Sequence, residues 1–64
     1  MANPTEAKSV EAAFVAAIGK AYDTMLMGYV DANGNSGLET AANQRFERFV
    51  VLARKVRDQA LKQL

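Results

Sequence analysis

The sequence predicts an all-α fold, an antiparallel two-helix hairpin that we expect to pair into a four-helix bundle. Three observations carry this prediction: two long segments with apolar residues at helical spacing, one Asn- and Gly-rich break between them, and a single proline at position 4. With 64 residues, the chain is expected to form one domain over 1–64. Within it we predict helix 1 at about 4–30, a turn at 31–36 and helix 2 at about 37–64.

Helix 1 opens with a capping sequence. In Asn3-Pro4-Thr5-Glu6, Asn3 can serve as N-cap, Pro4 is preset for the first helical position and Glu6 can close a capping box. The larger apolar residues then form one broad stripe, which consists of Val10, Phe14, Ile18, Tyr22, Met25 and Tyr29. Charges are sparse over residues 9–30, so helix 1 is apolar on most of its circumference. A helix of this kind is normally covered on more than one side.

Two glycines lie inside helix 1. Gly19 and Gly28 each cost about 1 kcal/mol relative to alanine in a helix interior. Such a cost indicates either close approach of another helix or a tolerated misfit. The sequence leaves both interpretations open at both positions.

The break between the helices is rich in turn-forming residues. Asn33, Gly34 and Asn35 favour left-handed and turn conformations. Ser36 is predicted to be the N-cap of helix 2, with Glu39 closing a second capping box. The predicted seam of helix 2 consists of Ala42, Phe46, Phe49, Ala53, Val56 and Ala60, at alternating spacings of four and three.

The residue types exclude most catalytic and metal chemistry. The chain has no Cys and no His, which removes the best thiol nucleophile, the commonest general base and the usual zinc and haem ligands. We therefore predict no enzyme, no cofactor and no metal site. One weak alternative is calcium, since Asp31, Asn33 and Asn35 match positions 1, 3 and 5 of an EF-hand loop. Ser36 replaces the required glycine, however, and Ala42 stands where the closing Glu belongs.

Positive charge is concentrated toward the C-terminal end. Residues 1–44 carry two basic and five acidic groups, net −3, whereas residues 45–64 carry six basic and two acidic groups, net +4. The candidate polyanion-binding residues are Arg48, Arg54, Lys55 and Lys62. They support an alternative function as a small nucleic-acid-binding or regulatory protein, although a solvated helix face explains the same charges.

The preferred prediction is a non-enzymatic structural or adaptor protein that self-associates. A domain of this size is marginally stable without disulfides, a metal or a partner subunit, and the composition leaves the partner subunit. We expect a homo-oligomer, with a dimer favoured, or a helical partner protein. The predicted interface consists of Phe14, Ile18, Tyr22, Met25, Tyr29, Phe46, Phe49 and Val56. No signal peptide or membrane span is predicted, which favours a cytoplasmic location.

Overall fold

The computed structural model describes residues 4–64, which form two helices that pack against each other as a hairpin. Helix α1 spans Pro4–Ala32 and helix α2 spans Ser36–Lys62. Helix α1 therefore ends two residues later than predicted, and α2 begins one residue earlier. The predicted N-cap of α1, Asn3, lies outside the described residues.

The turn between the helices depends on two residues with positive φ. Asn33 has φ 49° and Gly34 has φ 84°, a left-handed conformation that Gly adopts freely and Asn tolerates. The N–H of Asn33 donates to the carbonyl of Val30 at 3.2 Å, and the N–H of Asn35 donates to the carbonyl of Ala32 at 2.9 Å. These bonds satisfy carbonyls at the end of α1 that have no partner within the helix.

Asn35 is the N-cap of α2. Its backbone returns to an extended conformation, and its side-chain Oδ1 accepts a hydrogen bond of 3.0 Å from the N–H of Leu38. Its carbonyl accepts from the N–H of Glu39 at 3.0 Å, which starts the helical ladder. The prediction of Ser36 as N-cap is therefore wrong by one residue. With Asn33 and Gly34 left-handed, Asn35 is the last residue before helical geometry begins, and Ser36 is already the first helical residue.

Small residues bring the helices closest near the turn. Ala32 and Ala42 are 5% and 3% exposed, and they are the buried residues of the range 4–64. A Cβ atom added at Gly28 would lie 2.9 Å from the Cβ of Ala42, closer than real Cβ contacts come. Gly28 is thus a site of close approach. At Gly19, by contrast, an added Cβ would meet nothing within 4 Å.

The rest of the seam is half-buried, because each helix has one neighbour. From α1 it contains Ala7, Val10, Phe14, Ala17, Ile18, Ala21 and Met25; from α2 it contains Phe46, Val50, Ala53, Arg57, Ala60 and Leu61. The inner line of α2 thus runs through Val50 and Arg57, not through the predicted Phe49 and Val56.

The hairpin is a thin rod. Its Cα atoms extend over 50 × 15 × 7 Å, and their radius of gyration is 15.0 Å. A compact domain of this length has a radius of gyration of about 11 Å. The solvent-accessible surface is 4946 Å², whereas a compact monomer of this mass exposes about 4,000 Å². The chain therefore exposes more surface than a compact domain of its size.

Candidate protein-interaction surface

An apolar groove runs between the two helices on one side of the hairpin. It consists of two adjoining hollows of about 370 Å³ and about 490 Å³, which share Ala17 and Phe49. The larger hollow lies toward the open end of the hairpin and is lined almost entirely by apolar side chains. The smaller one lies toward the turn, where Lys20, Thr24 and Arg45 add polar groups.

The two banks of the groove differ in side-chain size. On the α2 bank stand Phe49, Leu52 and Val56, which are 41%, 59% and 65% exposed. On the α1 bank of the larger hollow stand the small side chains of Ala13 and Ala17, with Val10 and Phe14 nearer the seam. Side chains as large as those of α2 normally lose most of their exposed area when a protein folds, so the exposure of this bank is unusual.

Arg57 closes the floor of the groove near its open end. Its guanidinium carbon lies 4.5 Å from the centroid of the Phe14 ring, a cation–π geometry. Its Nε and one terminal nitrogen both contact Oδ1 of Asp58 at 3.0 Å. Sequence reasoning assigned Arg57 no structural role. The signal that could have found it is its spacing of four from Ala53, which places it on the inner line of α2.

A second apolar surface lies on the opposite side of α1. We define the α1 stripe as Val15, Ile18, Tyr22, Leu26 and Tyr29, whose spacings of three and four place them in line. At 100° per residue, Tyr22 lies 180° from Ala13 of the groove. All members except Ile18 are exposed.

The α2 helix presents charged side chains on the side of the hairpin that carries the α1 stripe. Glu47, Arg54 and Asp58 lie within about 40° of one another there and are all exposed. The α1 stripe is therefore an apolar ridge on one helix beside a charged neighbour, whereas the larger hollow of the groove is lined mainly by apolar side chains of both helices.

The basic row of α2 consists of Arg48, Lys55 and Lys62. The three residues recur every seven positions and point away from α1, and all are exposed. Within residues 4–64 none of them forms an ion pair. Arg54, the fourth predicted polyanion-binding residue, lies about 100° from Lys55 and does not belong to the row.

The predicted interface residues fall into two groups. Phe14, Ile18, Met25 and Phe46 are half-buried between the helices, and Tyr22, Tyr29, Phe49 and Val56 are exposed. Of the exposed group, Phe49 and Val56 belong to the groove, and Tyr22 and Tyr29 belong to the α1 stripe. The structure thus brings Phe49 and Val56 together on one side and places the tyrosines on the other.

The residues of the calcium alternative serve the turn. Asp31 lies in the last turn of α1, and Oδ1 of Asn35 is occupied by the N–H of Leu38. Over residues 4–64 no three acidic side chains lie near enough to one another to hold a metal ion.

No protein family, curated protein or solved structure matches this chain. Over the described residues, neither helix has a stretch apolar enough, at sufficient length, to cross a bilayer.

Proposed function

We propose that this chain is a non-enzymatic structural or adaptor protein that works by helix–helix self-association and by binding other proteins. The observation that carries the proposal is the large, exposed apolar surface on both sides of a thin hairpin. Eleven large hydrophobic residues of the described range are at least 38% exposed, whereas its buried core is two alanines. Exposed apolar surface on this scale is typical of proteins that bury it against a partner.

The smallest assembly that fits this surface is a dimer in which two hairpins form a four-helix bundle. Two long helices of similar length, joined by a short turn, form half of such a bundle. In a single hairpin each helix packs against one other helix, which leaves the seam half-buried. Pairing gives each helix a second neighbouring helix. The added burial supplies stability that a two-helix chain of this length has little other means to obtain.

The test is the mass and the melting behaviour of the pure protein. We expect light scattering to give twice the 6.9 kDa of one chain. The melting temperature should fall on dilution, because dilution favours the single hairpin, which lacks the burial that pairing adds. A fully helical species of one chain's mass, with a melting temperature independent of concentration, would contradict the proposal.

A second candidate function is polyanion binding by the basic row. Its support is that Arg48, Lys55 and Lys62 are exposed and point away from α1 in one row. Binding to nucleic acid should weaken steeply with salt and be lost in the Lys55→Glu, Lys62→Glu double variant. Gel retardation at two salt concentrations checks this, and absence of any retardation at low salt would contradict it.

A further inference from the structure

The two sides of the hairpin differ in what a second hairpin would have to bury. Packing against the α1 stripe side would bring Glu47, Arg54 and Asp58 of α2 into the contact. Removing charges from water is costly, and charged residues are depleted at the centres of protein interfaces. On the groove side, both helices offer apolar side chains to the larger hollow, and Arg57 in its floor is already paired with Asp58. The charged Lys20 and Arg45 line the smaller hollow.

We propose that the groove is the surface covered by a second copy of this chain. This inference rests on the self-association proposed above and names the face that performs it. The α1 stripe then remains open on the outside of the dimer.

The exposed area agrees with coverage of a single face. The chain exposes 4946 Å², roughly 900 Å² more than a compact monomer of its mass. A standard protein interface buries about 800 Å² per partner. An interface of this size on one face would therefore reduce the exposed area of the chain to about that of a compact protein of its mass.

The two banks are complementary in size under two-fold symmetry. A two-fold axis that runs along the groove exchanges the banks, so the α2 bank of each copy lies over the α1 bank of the other. Phe49, Leu52 and Val56 of one copy then meet Ala13 and Ala17 of its partner. Large side chains facing small ones can interdigitate without voids.

Three lysine substitutions at similarly exposed positions test the proposal. Leu52→Lys places a charge in the groove, and Leu26→Lys makes the same change in the α1 stripe. Val51→Lys is the matched neighbour, because Val51 is 64% exposed, close to the 59% of Leu52, and lies about 100° away from it, off the groove. The dissociation constant of each variant is measured by sedimentation, beside that of the unsubstituted chain.

We expect Leu52→Lys to raise the dissociation constant by about 30-fold or more, as for a central interface residue, and the other two to leave it within a few-fold. Dissociation by Leu26→Lys without dissociation by Leu52→Lys would overturn the groove inference and leave self-association intact. Dissociation by both, or by neither, would also overturn it. If the unsubstituted chain is monomeric, the proposed function fails together with this inference.

A milder pair of variants guards against loss of folding. The chain has no cysteine, so Leu52→Cys and Val51→Cys each introduce a single thiol. At concentrations where the protein is associated, the thiol of Leu52→Cys should react with an alkylating reagent several-fold more slowly than that of Val51→Cys. The two rates should converge on dilution. Equal rates in the associated protein would overturn the inference.

Discussion

The contact near the turn and the outer surfaces of this hairpin differ in side-chain size. At the closest contact between the helices lie Gly28, Ala32 and Ala42, which have almost no side chain to bury. The outer surfaces carry Phe49 on one side and Tyr22 on the other, both substantially exposed. In an ordinary small domain, large apolar residues are among the most buried.

This difference assigns separate roles to the two surfaces. Small residues let two backbones approach closely, which fixes the spacing and register of the helices but buries little apolar area. Large residues contribute most of the free energy of burial, at about 25 cal/mol per Å². The small residues near the turn therefore set the spacing of the helices, and the half-buried seam stabilises the hairpin. The outer surfaces are the ones that we propose stabilise an assembly.

The largest expected effect comes from Phe49→Ala, compared with Phe46→Ala. Phe49 lies on the outer surface and Phe46 in the seam. In the associated protein we expect each substitution to lower the free energy of unfolding by about 3 kcal/mol, since both rings are then covered. Thermal melts over a hundredfold range of concentration provide the measurement.

Dilution should separate these two variants. As the protein dissociates, the penalty of Phe49→Ala should shrink well below that of Phe46→Ala, because the outer ring loses its cover and the inner one keeps it. If both penalties are independent of concentration, the outer surface contributes nothing to association, and the proposed separation of roles is incorrect.

The glycines of α1 provide a matched pair for the inner surface. Gly28→Ala places a methyl group 2.9 Å from the Cβ of Ala42, and neither atom can rotate away, so the helices must separate. We expect a net loss of about 1 to 2 kcal/mol, since overpacking outweighs the gain in helix propensity. Gly19→Ala meets no neighbour within 4 Å in the chain and should stabilise by up to about 1 kcal/mol. Chemical denaturation of both variants measures the two signs, and equal signs would contradict the close approach.

The helices and the position of the turn were predictable from local chemistry. Capping residues, a single Pro and an Asn-Gly break define where helices can begin and end, and these signals act over a few residues. The N-cap of α2 was displaced by one residue because both Asn35 and Ser36 can accept the capping bond. The choice between them depends on the φ of Asn33 and Gly34, which the sequence does not specify.

The sides of the helices were harder to predict than their ends. Periodicity assigned Phe49 and Val56 to the seam, because they fill the alternating spacing of four and three between the other apolar residues of α2. In the structure Val50 and Arg57 take that line, and the guanidinium of Arg57 stacks on Phe14. A rotation of α2 by a few tens of degrees decides between the two arrangements, and it depends on packing between helices, which lies beyond local sequence signals. The groove was therefore not predictable.

The cap at Asn35 sets the residue at which α2 begins. Asn35→Ala removes the bond from Oδ1 to the N–H of Leu38, and we expect a loss of about 1 kcal/mol. Ser36→Ala should change the free energy of unfolding by less than about 0.5 kcal/mol, because Ser36 is already helical. Denaturation midpoints of the two variants decide the comparison, and a larger loss at Ser36 would show that the cap lies there.

The smallest effect is expected at Arg57, in the floor of the groove near its open end. Arg57→Gln removes the cation from the Phe14 ring and the ion pair with Asp58, each partly exposed to water, so the expected loss is about 0.5 to 1 kcal/mol. Arg54→Gln is the control, because Arg54 is exposed and makes no ion pair within the described residues. Screening should reduce the ion-pair part of the loss at high salt, and the stacking part should persist. A penalty no larger than that of Arg54→Gln would mean that the half-buried alkyl chain of Arg57, and not its charge, accounts for its place on the inner line.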